Sequence, residues 1–140
     1  MEKYIHTVNY YETDKMGITH HSNYIRWMEE ARVDFMEKIG WGYEKLEAEG
    51  IISPVTSIKC DYKVSTTFPE KIGIEVFVEE FKGVKLKIRY VMTNEEGKTV
   101  CEGTSEHCFL DAEGRLIRLN KKYPEFYDVL VKLANSCQAP

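Results

Sequence analysis

No stretch of this chain approaches the roughly 18 consecutive apolar residues of a membrane-spanning helix. Basic residues are not in excess: 19 Lys and Arg stand against 23 Asp and Glu, a formal net charge of −4. That balance argues against a nucleic-acid or anionic-membrane surface, both of which need a basic face. It leaves room for a local basic patch to hold a phosphorylated ligand. The four cysteines, Cys60, Cys101, Cys108 and Cys137, form no C-x-x-C pair, and the leading Met-Glu-Lys-Tyr-Ile-His carries no apolar signal core. Reduced thiols in a cytoplasmic protein are therefore expected. His107 and Cys108 are adjacent, but strand alternation would send them to opposite faces. Their spacing fits no zinc pattern, so no metal is expected. Repeats, low-complexity runs and linkers are also lacking, so residues 1–140 read as one domain.

What the chain does have is order. Residues 4–12 read as extended, with Ile5, Val8, Tyr10 and Tyr11 among polar neighbours. From 23 to 39 the period becomes helical: Tyr24, Met28, Ala31, Phe35 and Ile39 line one stripe, with Ser22 or Asn23 as N-cap and Gly40 closing the end. A short helix is expected over 43–48. Alternating runs follow around 58–65, 72–78, 84–92 and 98–110, joined by turns at Lys82-Gly83 and 93–97. Residues 115–119 read as extended. Pro124 opens a closing helix, with a frayed tail after Ala134. A sheet of this size must bury one face, and the 23–39 helix is the object to bury against it. Val91, Phe77, Phe81 and Phe109 are assigned to the other face, where open edges and apolar side chains would favour pairing of subunits.

The densest chemistry lies in Tyr10-Tyr11-Glu12-Thr13-Asp14-Lys15-Met16-Gly17-Ile18-Thr19-His20-His21-Ser22-Asn23-Tyr24. An acid stands a short turn before a helix N-terminus, whose free N–H groups attract negative charge. Acyl transfer uses such a pair: a carboxylate to attack a carbonyl or activate water, and donors for the oxyanion. Asp14 fits either role, and it also fits a plain Asx turn ahead of Gly17. His21 offers a backbone N–H and an imidazole, while His20 reads as an exposed histidine. Tyr10 and Tyr24 read as walls, and Trp27 and Trp41 as packing or subunit contacts.

The pattern Tyr10-x-x-Thr13-Asp14-x-x-Gly17-Ile18-x-x-His21-x-x-Tyr24, followed by Trp27, Glu30, Ala31 and Arg32, closely resembles the 4-hydroxybenzoyl-CoA thioesterase-like branch of hotdog-fold acyl-CoA thioesterases, the YbgC type in particular. The segments Val100–Gly103 and Gly114–Leu119 are similar to that family's last strands. The resemblance implies an α+β hotdog fold, a curved antiparallel sheet wrapped around a long central helix at about residues 22–39. It implies hydrolysis of an acyl-CoA thioester to free acid and CoA. Asp14 and His21 would be catalytic, and Tyr10, Gly17, Ile18 and Tyr24 would contact substrate. It implies no cofactor, and a homodimer or homotetramer with the active site between subunits. Thr19, where many relatives carry valine, falls in the acyl-pocket region. His20 stands where an aromatic is frequent. Lys59, Lys63, Lys82, Lys85, Arg89, Arg115 and Arg118 are candidates for the CoA phosphates. A second reading is a non-catalytic hotdog module that binds acyl-CoA or acyl-carrier protein. Asp14 favours the enzyme, since a binder of an anionic ligand gains nothing from an acid at the thioester. A dehydratase-type hotdog would need a histidine and an acid elsewhere on helix and strand, and no such pair stands out.

Overall fold

The computed structural model of the protein describes residues 2–138. Its five strands are β1 (Tyr4–Thr7), β2 (Val55–Tyr62), β3 (Lys71–Phe81), β4 (Lys85–Thr93) and β5 (Thr99–Cys108). They form one antiparallel sheet in the order β1-β3-β4-β5-β2. The helices are α1 (Ser22–Lys38), α2 (Tyr43–Ala48), the short α3 (Leu119–Lys122) and α4 (Pro124–Gln138).

The sheet wraps α1. Trp27, Met28, Ala31 and Phe35 are buried from the helix side. Ile72, Ile74 and Val78 of β3 meet them, with Leu86, Ile88, Tyr90 and Met92 of β4. Period 3.6 on one element and period 2 on the other thus close a single apolar layer. α1 stops as its sequence dictates. Gly40 adopts φ +87°, its N–H reaches the Glu37 carbonyl, and the Trp41 N–H reaches Met36, a Schellman closure.

Four expectations change. Residues 4–12 are not one strand: β1 ends at Thr7, and Tyr10–Glu12 form a 3-10 turn. Phe81 and Phe109 do not lie on the far face. The β3 bulge between Val78 and Glu80 returns Phe81 to the helix side opposite Leu86, and Phe109 continues the inward phase of Ser105 and His107. Both pack with α4, through Tyr127 and Phe126. The far face keeps Phe77, with Arg89 4.3 Å above its ring, and Val91. Finally, α4 continues past Ala134 to Gln138, and residues 115–119 supply only a bridge from Leu110 to Leu116 before Leu119 begins α3.

Candidate active site

The segment before α1 is tied together by Glu12. Its side chain is buried, and Oε1 accepts from the Asn9 N–H at 2.8 Å and meets His6 Nε2 at 2.9 Å. Oε2 accepts the Trp27 indole N–H at 2.8 Å. Burial alone would raise the pKa of this carboxyl. The donors from Asn9, Trp27 and His6 outweigh it and hold the group below the usual carboxylate value. The Glu12 backbone carbonyl accepts the His20 N–H and the Asn23 side-chain amide. One residue thus fastens the 3-10 turn to both the start and the flank of α1. In the sequence Glu12 reads as a polar position in a strand, and no local signal marks it as this anchor.

From that anchor the chain makes a loop. Thr13 and Thr19 pair as an antiparallel bridge, and between them Asp14 N–H meets the Ile18 carbonyl and Gly17 N–H meets the Asp14 carbonyl. Gly17 takes φ +80°, which a side chain would oppose. Asp14 Oδ1 accepts the Met16 N–H at 2.8 Å, so the Asx turn is present. Asp14 Oδ2 has no partner among the described residues. The turn therefore orients the carboxylate and leaves one oxygen free.

Across the bridge, α1 begins. The N-cap is His21, not Ser22 or Asn23, and its own side chain makes no capping bond, while the Ser22 N–H donates to His20 Nδ1 at 3.3 Å. Ser22 Oγ instead bonds His20 Nδ1 at 2.8 Å, and the Asn23 amide reaches back to Glu12 and His20. The first turn of α1 holds no acidic residue. Among the described residues the His21 N–H finds no acceptor.

The structure gathers His21, Tyr24 and Tyr62 into one aromatic group: the Tyr24 and Tyr62 rings lie 5.2 Å apart, those of His21 and Tyr62 6.1 Å. Tyr24 is buried and its hydroxyl meets Thr66 Oγ1 at 2.9 Å. Tyr10 lies elsewhere on the rim. It is 76% exposed and stands edge-on to Phe68 at 5.9 Å. Ile18 is half-buried in the Asp14 loop. Thr19 is not an open wall: it is buried, with its hydroxyl 2.6 Å from Thr66 Oγ1. Thr67 braces the same loop through the Gly17 carbonyl at 2.7 Å. Tyr62, Thr66, Thr67 and Phe68 reach the site from 38 or more positions away in sequence, and nothing in their local pattern announces it. Beneath Tyr62, hydrogen bonding with Cys101 draws the Cys60 thiol down to about 7.

Of the candidate phosphate ligands, Lys59, Lys82, Lys85 and Arg89 are paired with Asp61, Glu80, Glu106 and Glu79. Lys63, Arg115 and Arg118 form no ion pair with a carboxylate among the described residues.

A loop carboxylate with one oxygen unpartnered among the described residues directly precedes a helix whose His21 N–H finds no acceptor among them, and a sheet wraps that helix. A sequence-family model described as the thioesterase-like superfamily matches residues 8–133. The chain belongs to the thioesterase-like superfamily. The protein is a hotdog-fold member of this thioester hydrolase family, in keeping with the pattern around Asp14. "Putative acyl-CoA thioesterase YneP" of Bacillus subtilis (strain 168) is 32% identical over 126 residues, 89% of this chain and 91% of that protein. A DHNA-CoA thioesterase structure from Staphylococcus aureus superposes with a TM-score of 0.90 at 33% identity, covering 99% of this chain and 96% of the other. A Thermus thermophilus structure of a hypothetical protein gives 0.87 at 31%, covering 95% and 99%. Among the described residues of this thioesterase-family protein, no helix is long and apolar enough to cross a membrane.

Proposed function

We propose that the protein hydrolyses an acyl-CoA thioester to a free acid and CoA, with Asp14 as the reacting carboxylate and the His21 N–H as oxyanion donor. The observation that carries this reading is the division of labour at Asp14. Met16 N–H fixes Oδ1, while Oδ2 has no partner among the described residues, in a loop closed by the Thr13–Thr19 bridge just before α1.

The thioester carbonyl sits with its oxygen toward the His21 N–H at the helix start. Charge that develops on that oxygen meets an unpaired donor and an uncompensated dipole end. By one route Oδ2 attacks the carbonyl carbon, the C–S bond breaks, and water then cleaves the mixed anhydride. By the other Oδ2 takes a proton from water as the hydroxyl oxygen bonds to the carbonyl carbon. Either way the CoA thiolate leaves and is protonated, and one water is consumed. Gly17 keeps the loop low against the substrate. Ile18 and Tyr24 stand beside the acyl portion, and Tyr10 on the outer rim.

The rim itself supports a site shared between two copies of the chain. Tyr10, Tyr62, Val64 and Phe68 are all at least 40% exposed around it, and β2 leaves one edge unpaired. A second subunit, in a homodimer or a homotetramer built from dimers, would cover this apolar surface. Lys63, next to Tyr62 and without an ion pair among the described residues, is placed to meet a CoA phosphate.

The test is release of thiol from a panel of acyl-CoAs, read with a chromogenic thiol reagent. Release by the wild type that falls at least ~10²-fold in Asp14→Asn supports the assignment. Binding of acyl-CoA with no release would instead favour the non-catalytic binding module.

A further inference from the structure

Two cysteines that take no part in thioester cleavage share one cell of the sheet. In the β2–β5 register, Cys60 stands opposite Gly103 and Tyr62 opposite Cys101. Opposite residues share a face, and so do residues two apart on one strand. Cys60 and Cys101 are therefore diagonal neighbours on the same face. That face is the inner one, because Cys60 Sγ lies 3.5 Å from Met28 Sδ of α1. The crossing diagonal runs from Tyr62 to Gly103, and Gly103 adds no side chain to it. A Cβ at Gly103 would stand 2.7 Å from the Lys59 carbonyl oxygen and 3.3 Å from Met28 Sδ, so glycine is the residue that fits beside the two thiols.

The two thiols differ in character. Cys101 is fully buried, while Cys60 is half-buried. Hydrogen bonding with Cys101 draws Cys60 down to about 7, with help from Tyr62 and against the pull of burial. The same bond, together with burial, pushes Cys101 far up, so it keeps its proton. One sulfur is thus ionised in good part near neutral pH, and the other holds a hydrogen toward it. A thiolate within reach of solvent, with a protonated thiol beside it, is the pairing that reacts with peroxides and then closes. Cys108 and Cys137 are also half-buried but stand in other settings. Cys108 takes the other face of β5, opposite Lys85, and Cys137 lies in the last turn of α4.

We propose that Cys60 is a site of oxidation by hydroperoxides, with Cys101 as the resolving thiol that closes a disulfide between β2 and β5. The Cys60 thiolate attacks one peroxide oxygen. The S–O bond forms as the O–O bond breaks, and two electrons pass from sulfur to the peroxide. The leaving oxide takes up a proton and departs as water or an alcohol. The Cys101 sulfur then attacks the sulfenic sulfur of Cys60. The S–S bond forms, and hydroxide leaves with the Cys101 proton as water. Diagonal neighbours stand about 7–8 Å apart at Cα and a disulfide holds them within about 7 Å, so β2 draws in slightly as the bond closes. β2 is free to do so: among the described strands β5 alone pairs with it, and their register already shifts between Val55 and Ser57. Tyr62 stands opposite Cys101, so closure pulls on the ring that packs against Tyr24 and His21.

The test is exposure of the reduced full chain to hydrogen peroxide at neutral pH, quenched by alkylation and read by peptide mass mapping. A peptide pair joined through Cys60 and Cys101, lighter by two hydrogens, is the expected product. It should form several-fold faster than Cys108 or Cys137 oxidises. Cys101→Ser keeps a hydroxyl donor for Cys60 but removes the resolving sulfur, so it should stop at a Cys60 sulfenic acid that dimedone traps. Cys60→Ser should leave Cys101 reduced over the same time. If either variant fails to fold, the wild-type map decides alone. The proposal is overturned if the joined pair does not form, or if Cys108 or Cys137 oxidises as fast as Cys60. It is also overturned if folded Cys101→Ser yields no sulfenic acid at Cys60, or if Cys101 in folded Cys60→Ser oxidises as fast as in the wild type.

Discussion

Glu12 shows how much one buried carboxylate can organise. Its two oxygens collect donors from a loop, a strand and a helix, and its carbonyl collects two more. Glu12→Ala would strand the Trp27 and Asn9 N–H groups at a cost of about 1–3 kcal/mol for each that stays dry. Thermal unfolding should show a clear drop in Tm for that variant. The same bonds have a pH signature. The folded-state pKa of Glu12 lies below its unfolded value near 4.5, so its contribution is complete above that value. It is lost as pH falls through the folded pKa. A urea-midpoint profile against pH should therefore fall less steeply below pH 4.5 in Glu12→Gln than in the wild type. His107 acts in the same direction over a different window. Its folded value of about 4 lies below its ordinary 6.5, so the unfolded chain binds more protons between the two. Stability should fall as pH drops from about 6.5 toward 4, and His107→Gln should remove that part of the slope.

Among elements, α1 was the plainest to read and its first residue the hardest. Its apolar stripe and its Gly40 stop follow from local rules: a 3.6-residue period and a left-handed closing residue. Its start follows none of them. Ser22 and Asn23 have capping side chains, yet the loop before them recruits both, for His20 and for the Glu12 carbonyl. Among the described residues the helix end is left with one N–H, that of His21, without an acceptor, which is the donor the proposed mechanism uses. The strand runs were legible from alternation, but alternation assumes an unbroken pleat. One bulge in β3 reverses the phase and carries Phe81 from the far face to the core. The turn at Asp14 was legible because Thr-Asp-x-x-Gly is a short local turn motif. Tyr62, Thr66 and Phe68 were not, because they come to the site through the sheet and the loop after β2. Thr67→Ala tests that brace. Losing the bond to the Gly17 carbonyl should lower kcat several-fold, with far less effect on Tm than Glu12→Ala.

At the scale of the whole molecule, the distribution of surface is the informative feature. The far face of the sheet carries paired charges, such as Lys87 and Arg89 with Glu79. Exposed aromatic and aliphatic groups concentrate instead near Asp14 and along the β2 edge. An unpaired edge beside an apolar rim suits the second copy proposed above. Val55 begins that edge strand and is 43% exposed. Val55→Lys should shift the protein toward monomer in sedimentation velocity, and thiol release should fall in parallel with the dimer fraction. Activity that persists in the monomer would show that one subunit holds a complete site.

The claim on which the rest depends is that Asp14 does chemistry rather than merely closing its turn. Asp14→Asn separates these roles, because an asparagine oxygen still accepts the Met16 N–H and keeps the loop in place. The measurement is kcat for thiol release from the best acyl-CoA of the panel, on protein shown to have the wild-type Tm and oligomeric state. A fall of at least ~10²-fold with the fold intact is the predicted result. An Asp14→Asn protein that turns over at the wild-type rate would contradict the account.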